Sequence, residues 1–279
     1  RLYAHKWPSG GQVELLLLAK RGPLIWEALV KGRKVAVGQR LALTASDGTP
    51  TDVAGTVEAV SASGGRLIRF DTPVEPHLQR LGTVPLPPYI HTPLADPERY
   101  QTIYAREEGS AAAPTAGLHF TPELRARLDA LGVEWAAVLL HIGLDTFRPV
   151  TEESVEEHQI HTEYCRISPE SAATINRAVS EGHRVIAVGT TSVRVLETAA
   201  QGVECGVLPY DGPTQLFIYP GYRFRVVSAL ITNFHLPRSS LLMLVSAMAG
   251  LERIRQAYAE ATRLRYRFYS FGDSMLILP

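Results

Sequence analysis

The sequence is poor in cysteine and lacks any long uncharged apolar segment. Only Cys165 and Cys205 occur among the 279 residues, without CxxC spacing, which argues against a disulfide framework or a zinc–cysteine site. The longest apolar stretch, residues 241–249, is far shorter than the roughly 20 residues that a membrane helix needs. We therefore expect a protein of a reducing compartment, the cytoplasm.

The sequence also lacks an initiator methionine and a signal peptide. It opens at Arg1 and continues at once into strand-like residues, so we expect the true N-terminus of the protein to be missing. With 46% hydrophobic and 20% charged residues, the composition is that of a globular protein with one large domain or two smaller ones.

The net charge of zero hides a polarised distribution. Residues 1–88 carry 11 basic and 7 acidic residues, residues 89–211 carry 9 and 18, and residues 212–279 carry 8 and 3. The terminal blocks are therefore basic and the middle is acidic. Such polarity permits a phosphate-binding face without a high pI, although ordinary local variation explains it equally well.

The first block reads as a series of short strands. Five segments rich in Val, Leu and Ile are separated by Gly, Pro, Asp or Ser: 12–20, 23–31, 39–44, 52–61 and 66–71. This spacing predicts a small β-barrel. Because prolines favour extended backbone, residues 85–88 (PLPP) read as a stiff connector, and we place a domain boundary there. The prediction is a β-barrel domain over 1–88 and an α/β catalytic domain over 89–279.

The second block alternates strands and helices, which indicates a mixed α/β domain. Thr121 and Pro122 begin a helix, Ser168 and Pro169 begin another, and Ser239 or Ser240 caps a third. The periodicity from residue 251 to 264 predicts an amphipathic helix.

A strand ending at Val188 is followed by the turn Gly189, Thr190, Thr191 and Ser192, with Arg194 in the next helix. Free N–H groups and the positive dipole end make a helix start an anion site. The alternative is a well-capped helix that binds nothing.

Three histidines lie on predicted loops or strand ends, where ligands bind in α/β proteins. They are His119 in APTAGLHFT, His141 in LHIGLDTFRPV and His235 in TNFHLPRSSLL. Each could carry a proton at neutral pH, and each could equally be a structural histidine. His158 and His161 share a helix-like spacing with Glu163 nearby, but no further ligand makes a metal site strong, so we predict none.

Taken together, these motifs resemble the S-adenosylmethionine:tRNA ribosyltransferase-isomerase family of the queuosine pathway. The resemblance covers nearly the whole chain, through WEALVKGRK, PLPPYI, RYQTIYA, APTAGLHFT, HQIHTE, VIAVGTTSVRVLE, GPTQLFIYPGY, LITNFHLPRSSLLMLVSAMAG and YRFYSFGDSM. Asp145 departs from the glycine usual in the family, and Ile160 from methionine. Family members also carry an N-terminal segment, ending in Asn-Asp-Thr-Arg, before the position of Arg1.

The resemblance implies two domains, with the barrel inserted in the larger α/β domain, in a cytoplasmic, monomeric enzyme. The substrate would be tRNA with 7-aminomethyl-7-deazaguanine at the wobble position, and the products epoxyqueuosine-tRNA, adenine and methionine. S-adenosylmethionine would be consumed as ribosyl donor, so no cofactor is expected.

The resemblance also implies functional residues. His119, His141 and His235 are the catalytic candidates. Substrate contacts are expected from Thr115, Gly117, Arg148, Glu163, Gly189, Thr190, Thr191, Ser192, Arg194 and Asn233. The tRNA phosphates would contact Lys31, Arg33, Lys34, Arg263, Arg265 and Arg267.

Three other interpretations remain. A metal-dependent hydrolase would use His158 and His161, and a noncatalytic module would bind tRNA without consuming S-adenosylmethionine. A methyltransferase is disfavoured, because no Gly-rich nucleotide loop follows an early strand.

Overall fold

The computed structural model of the protein describes residues 1–61, 64–87, 89–90, 92, 94–107, 109–110, 112–142, 160 and 162–278. The chain divides into two compact units. The first comprises Arg1–Pro97 and Glu108–Ala112, and the second Glu98–Glu107 and Ala113–Pro279. The first unit therefore continues beyond the expected boundary at residue 88.

The first unit is built on a closed antiparallel barrel in the order β1-β2-β3-β6-β5-β4. Its strands are β1 Leu2–Trp7, β2 Gln12–Lys20, β3 Ile25–Lys31, β4 Arg40–Thr44, β5 Pro50–Val60 and β6 Arg66–Phe70. Alternate residues point inward, and Leu2, Leu15 and Phe70 are among those that fill the interior. The short helix α1, Leu78–Leu81, adds Leu81 to this core.

All five expected strands are present, and the sixth, β1, closes the barrel. It pairs with β2 on one side and β4 on the other. Full closure leaves no unpaired sheet edge among these strands.

In the residues that the structure describes, the second unit has two three-stranded sheets. In the antiparallel sheet, β8 Glu163–Ile167 lies between β7 Val138–His141 and β10 Tyr210–Thr214. In the other, β11 Ala229–Asn233 pairs parallel with β9 Ile186–Val188 and antiparallel with β12 Ser274–Ile277. The mixed α/β class and the small barrel predicted from the sequence are thus confirmed.

The helices in the described part of this unit are α2 Pro122–Ala130, α3 Pro169–Ser180, α4 Thr190–Ala199, α5 Ser240–Ala249 and α6 Leu251–Arg263. Helix α4 packs against strands of both sheets and is buried along most of its length. Its apolar residues join the main core of this unit with Ile167, Leu230 and Leu244.

Side chains cap three helices where the sequence predicts. The hydroxyls of Thr121, Ser168 and Ser239 accept hydrogen bonds from backbone N–H groups in the first turns of α2, α3 and α5. Proline at the first helical position adds to this signal in α2 and α3. Within the described ranges, no helix combines the length and apolar character needed to cross a membrane.

Candidate active site at the end of the parallel strands

The polar motifs of the second unit meet where β9 and β11 end. Because these strands are parallel, their carboxyl ends lie at one edge of the sheet, where α/β proteins bind ligands. Gly189, directly after β9, donates its N–H to the carbonyl of Ile231 at 2.8 Å. Strand β12 begins at this edge, with Ser274 opposite Asn233.

A hydrogen-bonded chain joins three of the predicted site residues. Thr115 and His119 occupy the two ends of a 3-10 helix, Thr115–His119. Thr115 Oγ1 donates to Asn233 Oδ1 at 3.1 Å, and Asn233 Nδ2 lies 3.3 Å from His119 Nε2. With the amide in this orientation Nδ2 is the donor, which assigns the accepting lone pair to Nε2 and the proton of neutral His119 to Nδ1.

Asn233 is buried, so its amide is a fixed link between strand β11 and the histidine. His119 itself is half-buried, and it has a small electrostatic effect on Asp273, the residue that precedes β12. The pKa of the Asp273 carboxyl is lowered chiefly by a hydrogen bond from the backbone N–H of Arg267, with smaller contributions from Arg267 and His119.

The turn after β9 lies against the same 3-10 helix. Gly189 has φ +88°, a left-handed conformation that glycine adopts without strain, and an added Cβ would lie 3.8 Å from Cβ of Ala116. Helix α4 starts immediately afterwards, so its free N–H groups and positive dipole end are next to the loop of His119.

The hydroxyls of this turn are partly committed to the fold. Ser192 Oγ donates to the carbonyl of Val188 at 2.8 Å, and Thr190 is buried. Anion binding here would therefore depend chiefly on the backbone N–H groups of the first turn of α4.

Arg194 and Glu163 form a buried ion pair between α4 and β8. Arg194 Nη1 donates to Glu163 Oε2, and Nε donates to the carbonyl of Leu216 at 3.1 Å. Arg194 Nη2 is buried without a hydrogen-bond partner among the described residues. The two residues predicted to contact the substrate therefore pair with each other, and the Glu163 carboxylate already has a cationic partner.

His235 is held in a neutral state. Its Nε2 lies 2.9 Å from Thr232 Oγ1, and its backbone N–H donates to the Tyr258 hydroxyl at 2.7 Å. Burial lowers the pKa of His235 to about 4. That value is far from the pKa near 7 that favours proton transfer at neutral pH.

His141 lies at the end of β7 in the other sheet. It is opposite Tyr164, and the two rings are tilted at 55° with centroids 5.6 Å apart. Because neighbouring residues in a strand face opposite ways, His141 is on the sheet face opposite to Glu163. No contact in the described part of the chain joins His141 to His119 or His235.

Sequence reasoning missed Glu197, a fully buried carboxylate on α4. It accepts hydrogen bonds from the N–H groups of Arg225, Val226 and Val227 at 2.9–3.1 Å and from the Tyr222 hydroxyl at 3.1 Å. The available signal was an acidic residue within the apolar run VRVLETAA.

Comparison with known proteins matches residues 1–277 to the model of the queuosine biosynthesis protein family. The S-adenosylmethionine:tRNA ribosyltransferase-isomerase of Moorella thermoacetica is 53% identical over 285 residues, covering all of this chain and 81% of the relative. That of Symbiobacterium thermophilum is 55% identical over 282 residues, with the same coverage. The chain belongs to the queuosine biosynthesis protein family.

A solved family structure, S-adenosylmethionine tRNA ribosyltransferase from Thermotoga maritima, is 36% identical, with a TM-score of 0.49. The match covers all of this chain and 78% of that one. The family match and the two curated relatives confirm the family resemblance stated from the motifs.

Part of the predicted site lies outside the described residues. This applies to Arg148, and to His158 and His161 of the metal alternative. Among the residues that the structure does describe, no group of three His, Cys, Asp or Glu side chains is arranged to hold a metal ion.

The predicted phosphate contacts are on the surface of each unit. On the barrel, Lys31 Nζ is 4.0 Å from Glu14 Oε2, and the backbone of Lys34 is in the left-handed region with a φ of +50°. In the second unit, Arg263 pairs with Glu260 and Arg267 with Asp273. The exposed Arg33 and Arg265 complete the predicted set.

Proposed function

We propose that this chain transfers and isomerises the ribosyl part of S-adenosylmethionine onto 7-aminomethyl-7-deazaguanine at the wobble position of tRNA. The products are epoxyqueuosine-tRNA, adenine and methionine. The observation that carries the proposal is the family match over residues 1–277. In this chain, His119, Asn233 and the start of α4 lie together at the end of the parallel strands.

The proposed reaction begins with proton removal. A sulfonium acidifies the adjacent C5′–H, and His119 removes this proton through Nε2, the ring nitrogen without a proton, in place of its hydrogen bond from Asn233. The electron pair left on C5′ forms a C4′=C5′ bond as the C4′–O4′ bond breaks, O4′ becomes the carbonyl oxygen of C1′, and adenine leaves C1′ with a proton from a general acid. The neutral aminomethyl nitrogen then adds to C4′ and loses a proton, C5′ bonds to C1′, and the resulting alkoxide displaces methionine from C5′ as the epoxide forms.

The rest of the site serves binding. The free N–H groups at the start of α4 hold the methionine carboxylate or the ribose hydroxyls. His141 and His235 remain the other candidates for proton transfer, and His235 needs a raised pKa in the complex to act near pH 7.

The proposal also covers cofactor use, cellular compartment, oligomeric state and tRNA binding. S-adenosylmethionine is a consumed substrate, so the enzyme uses no cofactor. We further propose a cytoplasmic monomer that binds tRNA through Lys31, Arg33, Lys34, Arg263, Arg265 and Arg267.

The test is direct. The protein is incubated with S-adenosylmethionine and tRNA carrying the 7-aminomethyl base, and free adenine and the nucleoside mass are followed by LC-MS. Adenine release with a ribosyl-sized mass gain is expected. Tight tRNA binding without adenine release would instead support the noncatalytic module.

A further inference from the structure

The phenol of Tyr104 lies directly against the backbone of the segment that carries His119. A Cβ added to Gly117 would lie 2.0 Å from the Tyr104 hydroxyl and 2.8 Å from Cγ2 of Thr102. No side chain fits there without displacing Tyr104. Gly117 thus lets the phenol approach the backbone between Thr115 and His119.

The Tyr104 hydroxyl is accessible and unused. It has no hydrogen-bond partner among the described residues, and it is not fully shielded from solvent. The side chain as a whole is half-buried. The neighbouring Thr102 Oγ1 is fully buried and likewise has no partner in the described part of the chain.

Tyr104 is suited to donate rather than to accept a proton. Burial raises its pKa to about 12, so the hydroxyl stays neutral and protonated throughout the physiological pH range. A neutral phenol is a donor for an uncharged oxygen or nitrogen.

The segment that carries Tyr104 belongs to the same unit as the site. The ring of Tyr100 meets that of Phe271 edge to face, at a centroid distance of 5.7 Å, and Glu107 pairs with Arg166. These contacts fix residues 100–107 beside the site, so the position of the phenol is set by the fold.

We propose that the Tyr104 hydroxyl donates a hydrogen bond to an uncharged oxygen in the ribosyl part of bound S-adenosylmethionine. This inference rests on the proposed function. If His119 removes the C5′ proton, the ribosyl part lies against the loop 115–119, and its oxygens are the uncharged acceptors closest to Tyr104.

The experiment compares Tyr104→Phe with Tyr210→Phe, a matched control that removes a surface hydroxyl bonded to the carbonyl of Pro213. For each variant we would measure the Kd for S-adenosylmethionine without tRNA, the Kd for tRNA, kcat/KM for adenine release, and the midpoint of thermal unfolding. Tyr104→Phe should weaken S-adenosylmethionine binding and kcat/KM by about threefold to tenfold, the range for one neutral hydrogen bond. The tRNA Kd and the unfolding midpoint should not change, and the control should match the wild type.

A second variant tests the geometry. The methyl of Gly117→Ala would displace the phenol, so this substitution should weaken S-adenosylmethionine binding when Tyr104 is present. In the Tyr104→Phe background, the same substitution should cause a smaller loss of affinity. An unchanged S-adenosylmethionine Kd in Tyr104→Phe, or equal losses of affinity for S-adenosylmethionine and for tRNA, would overturn the inference. If the wild type releases adenine in the same assay, the proposed function still stands. A wild type that neither binds S-adenosylmethionine nor releases adenine would overturn both.

Discussion

The side-chain amide of Asn233 lies 3.3 Å from Nε2 of His119, a residue 114 positions earlier in the chain. We expect His119→Ala to lower kcat for adenine release by about 10²–10⁴-fold, the usual contribution of a proton-transferring group, with a small change in KM. His183→Ala, which removes an exposed histidine outside the site, is the control. Near-normal kcat in His119→Ala would remove His119 from the mechanism.

Asn233→Asp should change the pH dependence. A carboxylate beside the ring stabilises the imidazolium, so the acid limb of kcat/KM should move to higher pH. Thr115→Val removes the other hydrogen bond of the amide without adding charge, and it should leave that limb in place. Identical pH profiles for Asn233→Asp and the wild type would contradict the proposed base.

His235 should make folding stability depend on pH. Its folded-state pKa of about 4 is below the usual histidine value, so its stabilisation is complete above about pH 6.5 and is lost as the pH falls toward 4. Between pH 7 and pH 5 the loss should be roughly 2 kcal/mol. Urea unfolding at both pH values measures it, and His235→Gln should show a smaller difference. An NMR titration in which His235 charges near pH 6.5 would rule this out.

The buried pair of Arg194 and Glu163 should be strongly coupled. Arg194→Met leaves a buried carboxylate without its cation, which should cost about 3–5 kcal/mol in the free energy of unfolding, and adding Glu163→Leu should recover part of that cost. The exposed pair Arg177–Glu134 is the comparison, where Arg177→Ala should cost less than about 1 kcal/mol. Equal losses in the two single variants would show that the buried charge is not the cause.

Affinity for tRNA should fall steeply with salt. Each phosphate contact that is lost reduces the slope of log Kd against log salt concentration by about one, so Arg265→Ala should flatten the slope measurably. Arg263→Ala should have less effect because Glu260 already pairs with Arg263, and Arg127→Ala on α2 is the control. A wild-type Kd that is independent of salt would refute binding through phosphates.

Local features of the fold were predictable because their signals are local. The caps at Thr121, Ser168 and Ser239 follow from short-range hydrogen-bonding chemistry, and five barrel strands follow from alternation and turn residues. Strand β1 was not assigned, although the chain opens with strand-like residues. Its role depends on pairing with β4, some 36 residues away, and that pairing has no local signature.

The site was predictable as a set of motifs but not as contacts. The sequence indicates that Thr115, His119, Gly189 and Asn233 matter, yet only the fold brings 3-10 helix, turn and strand end together. Arg194 shows the limit most clearly. Its place in the first turns of α4 suggests a ligand contact, whereas the packing of α4 against both sheets directs its side chain to Glu163.

The four hydrogen bonds at Glu197 have a mechanical consequence for the site. They hold the last turn of α4 to residues 222–227, so the helix can neither slide nor rotate without leaving buried polar groups without partners. The amide groups at its first turn are therefore held in place by the fold. We expect an anion bound there to require little ordering of the protein and to bind with little conformational penalty.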